Sequence, residues 1–167
     1  MKTLDELLTD KIIDLLRYVL SKFIKPDITL EKVNELDSNT INKLKQQYGI
    51  EGIILDVDEI LRKEMKNISK CNKEMIESLK GKLKVIIVSN EKDQKIEKYF
   101  KEIGIDYIGF AHKPLKKNLL KACEKMNLSS DKVMTIGDSL FDDVYGGKRN
   151  NMKTALIKDV EEERNSS

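Results

Sequence analysis

Tryptophan is absent, His112 is the single histidine, and proline occurs only at positions 26 and 114. One histidine excludes any mechanism that needs a His pair. The two cysteines, Cys71 and Cys123, lie far apart with no C-x-x-C between them. Such usage fits neither a disulfide framework nor a zinc site, and it is what a reduced, intracellular chain shows. No apolar run approaches the roughly 18 residues needed to span a bilayer. Asp5, Glu6, Asp10 and Asp14 interrupt the one stretch that resembles a secretory leader, so none is expected. Neither sign of charge dominates: Lys+Arg 31 face Asp+Glu 29, for a net charge of +2. With both signs spread along the chain there is no nucleic-acid footprint, and a cytoplasmic protein is the expectation.

What remains is an ordinary globular composition, 40% apolar and 36% charged over 167 residues. That length predicts one domain with a core of its own. Leu4, Leu8, Ile12, Leu15, Val19 and Phe23 follow a 3.6-residue period and predict a helix from Thr3 to Phe23, stopped by Pro26. Its acids roughly match Lys11, Arg17 and Lys22. That balance favours docking on the chain's own core or on a second subunit; peripheral membrane contact, at the inner face, is the alternative. Ser38 or Asn39 is expected to cap a second helix that Gly49 ends. Residues 1–48 thus read as a helical extension, 51–158 as the core, and 159–167 as a frayed tail.

Three apolar runs end in polar residues: GIILDVD (52–58), KVIIVSN (84–90) and VMTIGD (133–138). Runs of this length, without alternation, read as strands buried on both faces. IDYIGF (105–110) reads as a weaker strand and TALI (154–157) as the last. A polar, Lys-rich stretch to Lys70 reads as a loop. Helices are predicted from an Asn72 cap to Lys80, on Ile96, Tyr99, Phe100 and Ile103, and from Pro114 through Met126. Strands alternating with helices predict a three-layer α/β/α sandwich around a doubly wound parallel sheet, Rossmann-like. Only about 30 residues separate Asp58 from Ser89, and fewer separate Ser89 from Lys113, which leaves no room for a cap domain.

An isolated D-x-D after a strand is by default an acidic turn. Parallel strands change that reading, because ligands bind beyond their carboxyl ends. One edge then collects Asp56, Asp58, Ser89, Asn90, His112, Lys113, Asp138 and Asp143. Crowded carboxylates repel, so a cation belongs among them, and hard oxygens without His or Cys suit Mg2+. Beside Lys113, such an ion holds a phosphoryl group. Asp142 reads as a solvated helix residue, His112 as a loop residue, and Gly146 and Gly147 as permitting a close helix–sheet approach.

The motifs DVDEIL, VIIVSN, the Lys of AHKP, and GDSLFDD, in this order, resemble the haloacid dehalogenase (HAD) superfamily of aspartate-nucleophile phosphatases. KPDITLEKVNELD, AHKPLKK and GDSLFDDVYGGKRNNM are similar to its subfamily IIIA phosphatidylglycerophosphatase-like branch. The resemblance implies Asp56 as nucleophile, Asp58 as acid and base, and Lys113 holding the nucleophile and neutralising the intermediate. It implies Ser89 and Asn90, with Lys113, on the phosphoryl oxygens. Mg2+ would lie on Asp56, Asp138 and the Asp58 carbonyl, with Asp143 orienting metal waters or Lys113. The implied substrate is a phosphomonoester on a lipid headgroup, phosphatidylglycerophosphate, or on a small metabolite; an oligomer could cover the open crevice. One departure stands out: the branch reads D-x-D-N-T-L where this chain has Glu59 and Ile60. That departure keeps a non-catalytic or low-activity binding protein as the alternative. A phospho-receiver domain fits less well, because there the Lys comes after the acids.

Overall fold

The computed structural model describes residues 2–58, 60–62 and 67–158. Its centre is a parallel sheet of β1 (Ile28–Leu30), β2 (Gly52–Leu55), β3 (Lys84–Val88), β4 (Asp106–Ile108), β5 (Val133–Gly137) and β6 (Lys153–Ile157), in the order β1-β6-β5-β2-β3-β4. Every pairing is parallel. All residues of β2 and β5 are buried, which is why these runs are apolar, Thr135 apart, instead of alternating.

Helices cover both faces. Ile41 and Leu44 of α2 (Ser38–Tyr48), Ile76 and Leu79 of α3 (Lys70–Lys80), and Ile96 and Phe100 of α4 (Gln94–Glu102) pack with Ile53, Leu55, Ile87 and Ile136. Leu119, Ala122, Cys123 and Met126 of α5 (Lys116–Met126) pack with Ile54, Ile86 and Val88. Odd and even residues of β2 thus enter different cores, as the pleat requires. The three-layer sandwich is the predicted one, with no inserted domain among the described residues. Leu140–Tyr145 is a π-helical turn that runs into a single α turn, Gly146–Lys148. A side chain at Gly147 would collide with Thr135, so glycine there allows the close approach to the sheet that the sequence predicts.

Four expectations need correction. Residues 1–48 are not purely helical, because β1 pairs with β6 at the sheet edge and Asp27 Oδ2 accepts the Thr154 N–H at 2.8 Å. Asp37, not Ser38 or Asn39, caps α2 by accepting the Thr40 N–H, while Gly49 ends it at φ +65°. Ser69, not Asn72, caps α3; the Asn72 side chain donates instead to the Leu61 carbonyl. Finally, α1 (Leu4–Phe23) begins with a Thr3–Glu6 capping box but buries none of its residues. It touches the rest of the chain at the 140–145 turn without entering the core, and Leu8, Ile12 and Leu15 are each at least half exposed. Its later turns border Ser139–Phe141. Glu59 and the centre of the Lys-rich stretch, 63–66, lie outside the described residues, as does the tail 159–167.

Candidate active site

From β2 the chain steps outward to β3 and β4, then returns to the other side of β2 as β5 and β6. The switch point therefore lies between β2 and β5, where α/β sheets open a crevice. Register puts Leu55 opposite Ile136, and the Asp56 N–H donates to the Ile136 carbonyl at 3.0 Å. Asp56 thus sits on the sheet edge, level with the end of β5. Asp138 follows β5, and Asp143 comes in from the π-helical turn. One carboxylate oxygen from each of Asp56, Asp138 and Asp143 lies within 4.8 Å of the others.

Lys113 enters this cluster. Its Nζ is 2.5 Å from Asp143 Oδ1 and 3.3 Å from Asp56 Oδ1, with the lysine and Asp143 both buried. Its backbone N–H donates to Asn90 Oδ1 at 2.7 Å, and Asn90 Nδ2 donates to Asp142 Oδ2 at 3.3 Å. Asn90 thus ties the lysine's loop to the helical turn. Phe110 and His112, flanking the loop, both have positive φ. Asp143 is fixed from a second side, since Oδ2 accepts the Ser139 N–H at 3.2 Å. A Cβ on Gly137 would collide with the Asp143 carboxylate, so only glycine at this strand end lets the acid reach the lysine.

Burial works against the charge of Lys113, but Asp143 and Asp56 outweigh it and hold the ammonium above the ordinary lysine range. Burial pushes the Asp56 carboxyl up to about 7; Lys113 opposes that rise, while Asp143 and Asp138 add to it. The same cause, followed by Asp143, raises Asp142. The site carries more negative charge than its lysine offsets. Three carboxylates with no His or Cys are the donor set of a hard cation, and Mg2+ fits it.

Asp58 goes elsewhere. Its Oδ2 accepts from Ser89 Oγ at 3.3 Å and its Oδ1 from Arg62 Nε at 2.8 Å. Arg62, buried, also reaches Asp93 Oδ2 at 2.6 Å. The carboxylate of Asp58 therefore stands apart from the acidic cluster, on the Ser89 side of the edge.

The structure brings together Asp56, Lys113, Asp138 and Asp143, and sets Asp58, Ser89 and Asn90 along the same edge. His112 is an exposed loop residue, as expected. Asp142 is half-buried and bonded to Asn90, not solvated. Ile60 is buried, which accounts for an apolar side chain there. Arg62, Gly137 and Ser139 went unread in the sequence. Only Arg62 left a signal, its spacing of four from Asp58, and it sits in a stretch that otherwise reads as loop.

A family model described as "Haloacid dehalogenase-like hydrolase" matches residues 4–157. The curated protein "Probable phosphatase YqeG" of Bacillus subtilis is 35% identical over 144 residues, 85% of this chain and 81% of that protein. Among solved structures, an uncharacterized protein from Listeria monocytogenes aligns with TM-score 0.54 at 17% identity, over 65% of this chain and 79% of its own. A hypothetical protein from Xanthomonas campestris aligns with TM-score 0.53 at 16% identity, over 80% and 76%. At such identities these two establish a shared fold.

Proposed function

The chain belongs to the haloacid dehalogenase-like hydrolase family, and from that premise we propose that it is a Mg2+-dependent phosphomonoester hydrolase whose nucleophile is Asp56. The observation that carries this reading is the Lys113 ammonium held between Asp56 and Asp143 at the sheet's switch point. The description of YqeG as a phosphatase supports it.

Asp56 attacks phosphorus in line, the bond to the leaving oxygen breaks, and an aspartyl-phosphate forms. Asp58 gives the leaving alkoxide its proton. It then takes one from the water that attacks the intermediate, so inorganic phosphate leaves and Asp56 is regenerated. Lys113 orients Asp56 and offsets the charge gathering on the phosphoryl oxygens. Ser89 swings its hydroxyl from Asp58 to a phosphoryl oxygen, and Asn90 contributes an amide there. Asp56, Asp138 and Asp143 would hold Mg2+ together with the Asp58 carbonyl; when bound, the ion screens both the crowded carboxylates and the phosphoryl group. Residues 51–158 form the catalytic unit, and 1–48 complete its sheet and carry α1.

The substrate we propose is a phosphomonoester on a lipid headgroup, phosphatidylglycerophosphate, met at the inner face of the cytoplasmic membrane. Its support is the uncapped edge together with the exposed apolar residues of α1 and of Phe110 and Leu115, which flank Lys113. No helix among the described residues is long and apolar enough to cross a membrane, so contact would be from the side. Phosphate release is expected from the lipid in mixed micelles, to need Mg2+, and to outpace release from glycerol 3-phosphate. Brisk turnover of soluble esters with none of the lipid would contradict the substrate assignment. Binding to phosphatidylglycerol vesicles, weakened by Leu8→Ser with Leu15→Ser, separates membrane seating from self-association of α1.

Ionisation of Asp56 gives a second test. The unfolded carboxyl titrates near 3.8 and the folded one near 7. Between those values the folded state binds more protons, so without metal its stability falls as pH rises, by on the order of 4 kcal/mol in total. A cation that binds the ionised form removes this penalty, whereas at low pH it must first displace a proton. Saturating Mg2+ is therefore expected to raise Tm more at pH 8 than at pH 5. Equal shifts at both would count against Asp56 as a ligand.

A further inference from the structure

Beside Arg62, which holds Asp58, lies a cavity of about 680 Å³ whose walls include Ile96 and the polar side chains of Arg62, Asn67, Lys92, Asp93, Gln94 and Lys95. Three of these six polar residues are cations and one is an acid. That acid is already committed: Asp93 accepts from Arg62 Nη1 at 2.6 Å and from the N–H groups of Lys95 and Ile96 at the start of α4. Lys92 is 3.9 Å from Glu97, at the limit of an ion pair, and Lys95 makes no side-chain ion pair among the described residues. Among the described residues the wall therefore holds more cations than acids, with the amides of Asn67 and Gln94 beside them.

Its place matters as much as its charge. A general acid must touch the leaving oxygen, so the leaving group departs past Asp58. Arg62 holds Asp58 with Nε and is also one of the residues that line the cavity. The alcohol portion attached to the leaving oxygen is thus directed into a cation-lined space.

Resting on the phosphatase reading above, we infer that this cavity is a second anion site, which holds a non-reacting anionic group carried by the leaving-group portion of the substrate. The class of substrate is a phosphomonoester whose alcohol bears another acid, either a carboxylate or a phosphodiester. Lys92 and Lys95 bind that group. Arg62 fixes the wall that binding and proton transfer share, and so links the position of the second anion to that of Asp58.

The test compares kcat/KM for substrates with and without the second charge, taken as a ratio to p-nitrophenyl phosphate. Glycerol 3-phosphate has one anion; 3-phosphoglycerate adds a carboxylate, and glycerophosphoglycerol phosphate adds a phosphodiester in soluble form. The last headgroup in phosphatidylglycerophosphate micelles gives the lipid arm. The parent protein is expected to prefer at least one two-anion ester over glycerol 3-phosphate. Lys95→Ala with Lys92→Ala should lower the ratio for that ester roughly tenfold, mainly through KM. The arm that responds identifies whether the group is a carboxylate, a soluble phosphodiester or a lipid one. Calorimetric binding of the same esters to the Asp56→Asn protein, with and without the lysine substitutions, repeats the comparison without turnover.

No preference in the parent, or a ratio and a binding constant unmoved by the lysine substitutions, overturns the second site. Failure to hydrolyse p-nitrophenyl phosphate with Mg2+ present instead overturns the phosphatase reading. The two failures are distinct.

Discussion

The Asp56→Asn protein is expected to fold, to bind phosphate esters and to release no phosphate, with turnover down by about four orders of magnitude or more. The amide keeps the size of the carboxylate but is not a nucleophile, so the aspartyl-phosphate cannot form. Stability moves the other way. Asp56 lies in a pocket whose burial pushes its carboxyl up to about 7, with Asp143 and Asp138 adding to the effect. An uncharged amide escapes that penalty above pH 7. The variant's Tm without metal should therefore match or exceed the parent's at pH 8, while at pH 5 the two should converge. A lower Tm at pH 8 would mean that Asp56 stabilises the fold and that its loss of activity is not chemical evidence.

Lys113→Met should cost both activity and stability. The thioether roughly matches the lysine's length but offers no charge to Asp143 or Asp56, which lie 2.5 and 3.3 Å from Nζ. Removing one partner from a buried ion pair leaves uncompensated charge, typically at a cost of about 3–5 kcal/mol. Urea denaturation in EDTA should show a loss of that order at pH 8. The loss should shrink at pH 5, where Asp56 takes a proton. Turnover should fall by roughly 10³-fold, because Asp56 loses its orientation and the phosphoryl oxygens lose a fixed cation. Near-parental turnover in this variant would remove Lys113 from the mechanism.

These two residues were legible in the sequence because a parallel sheet turns linear order into a spatial edge. Asp56, Ser89, Lys113 and Asp138 each follow an apolar run or its connecting loop, so the alternation of strands and helices places them together before any side chain is known. The edge strand β1 was not legible. Three residues after Pro26 and Asp27 carry too little periodicity, and their strand character comes from pairing with β6. Arg62 was hidden for a related reason: it lies in a polar stretch, and beside Asp58, four residues back, its second partner is Asp93, 31 residues on. The role of Gly137 depends on Asp143 folding back on it, which no local pattern announces. The first helix shows the limit most clearly. Its stripe fixes which face is apolar but not what covers that face, and no residue of α1 is buried.

During turnover Asp56 is expected to carry the phosphoryl group. Acid quenching of the Asp58→Asn protein with p-nitrophenyl phosphate, whose leaving group needs no general acid, and Mg2+ tests it most directly, because the intermediate still forms while its hydrolysis is slowed when no base activates water. Peptide mass spectrometry should then find one phosphoryl group on the peptide that contains Asp56, and none when Asp56→Asn is combined with it. A phosphoryl group on another residue, or continued turnover with the Asp56 peptide unmodified at every quench time, would show that Asp56 is not the nucleophile.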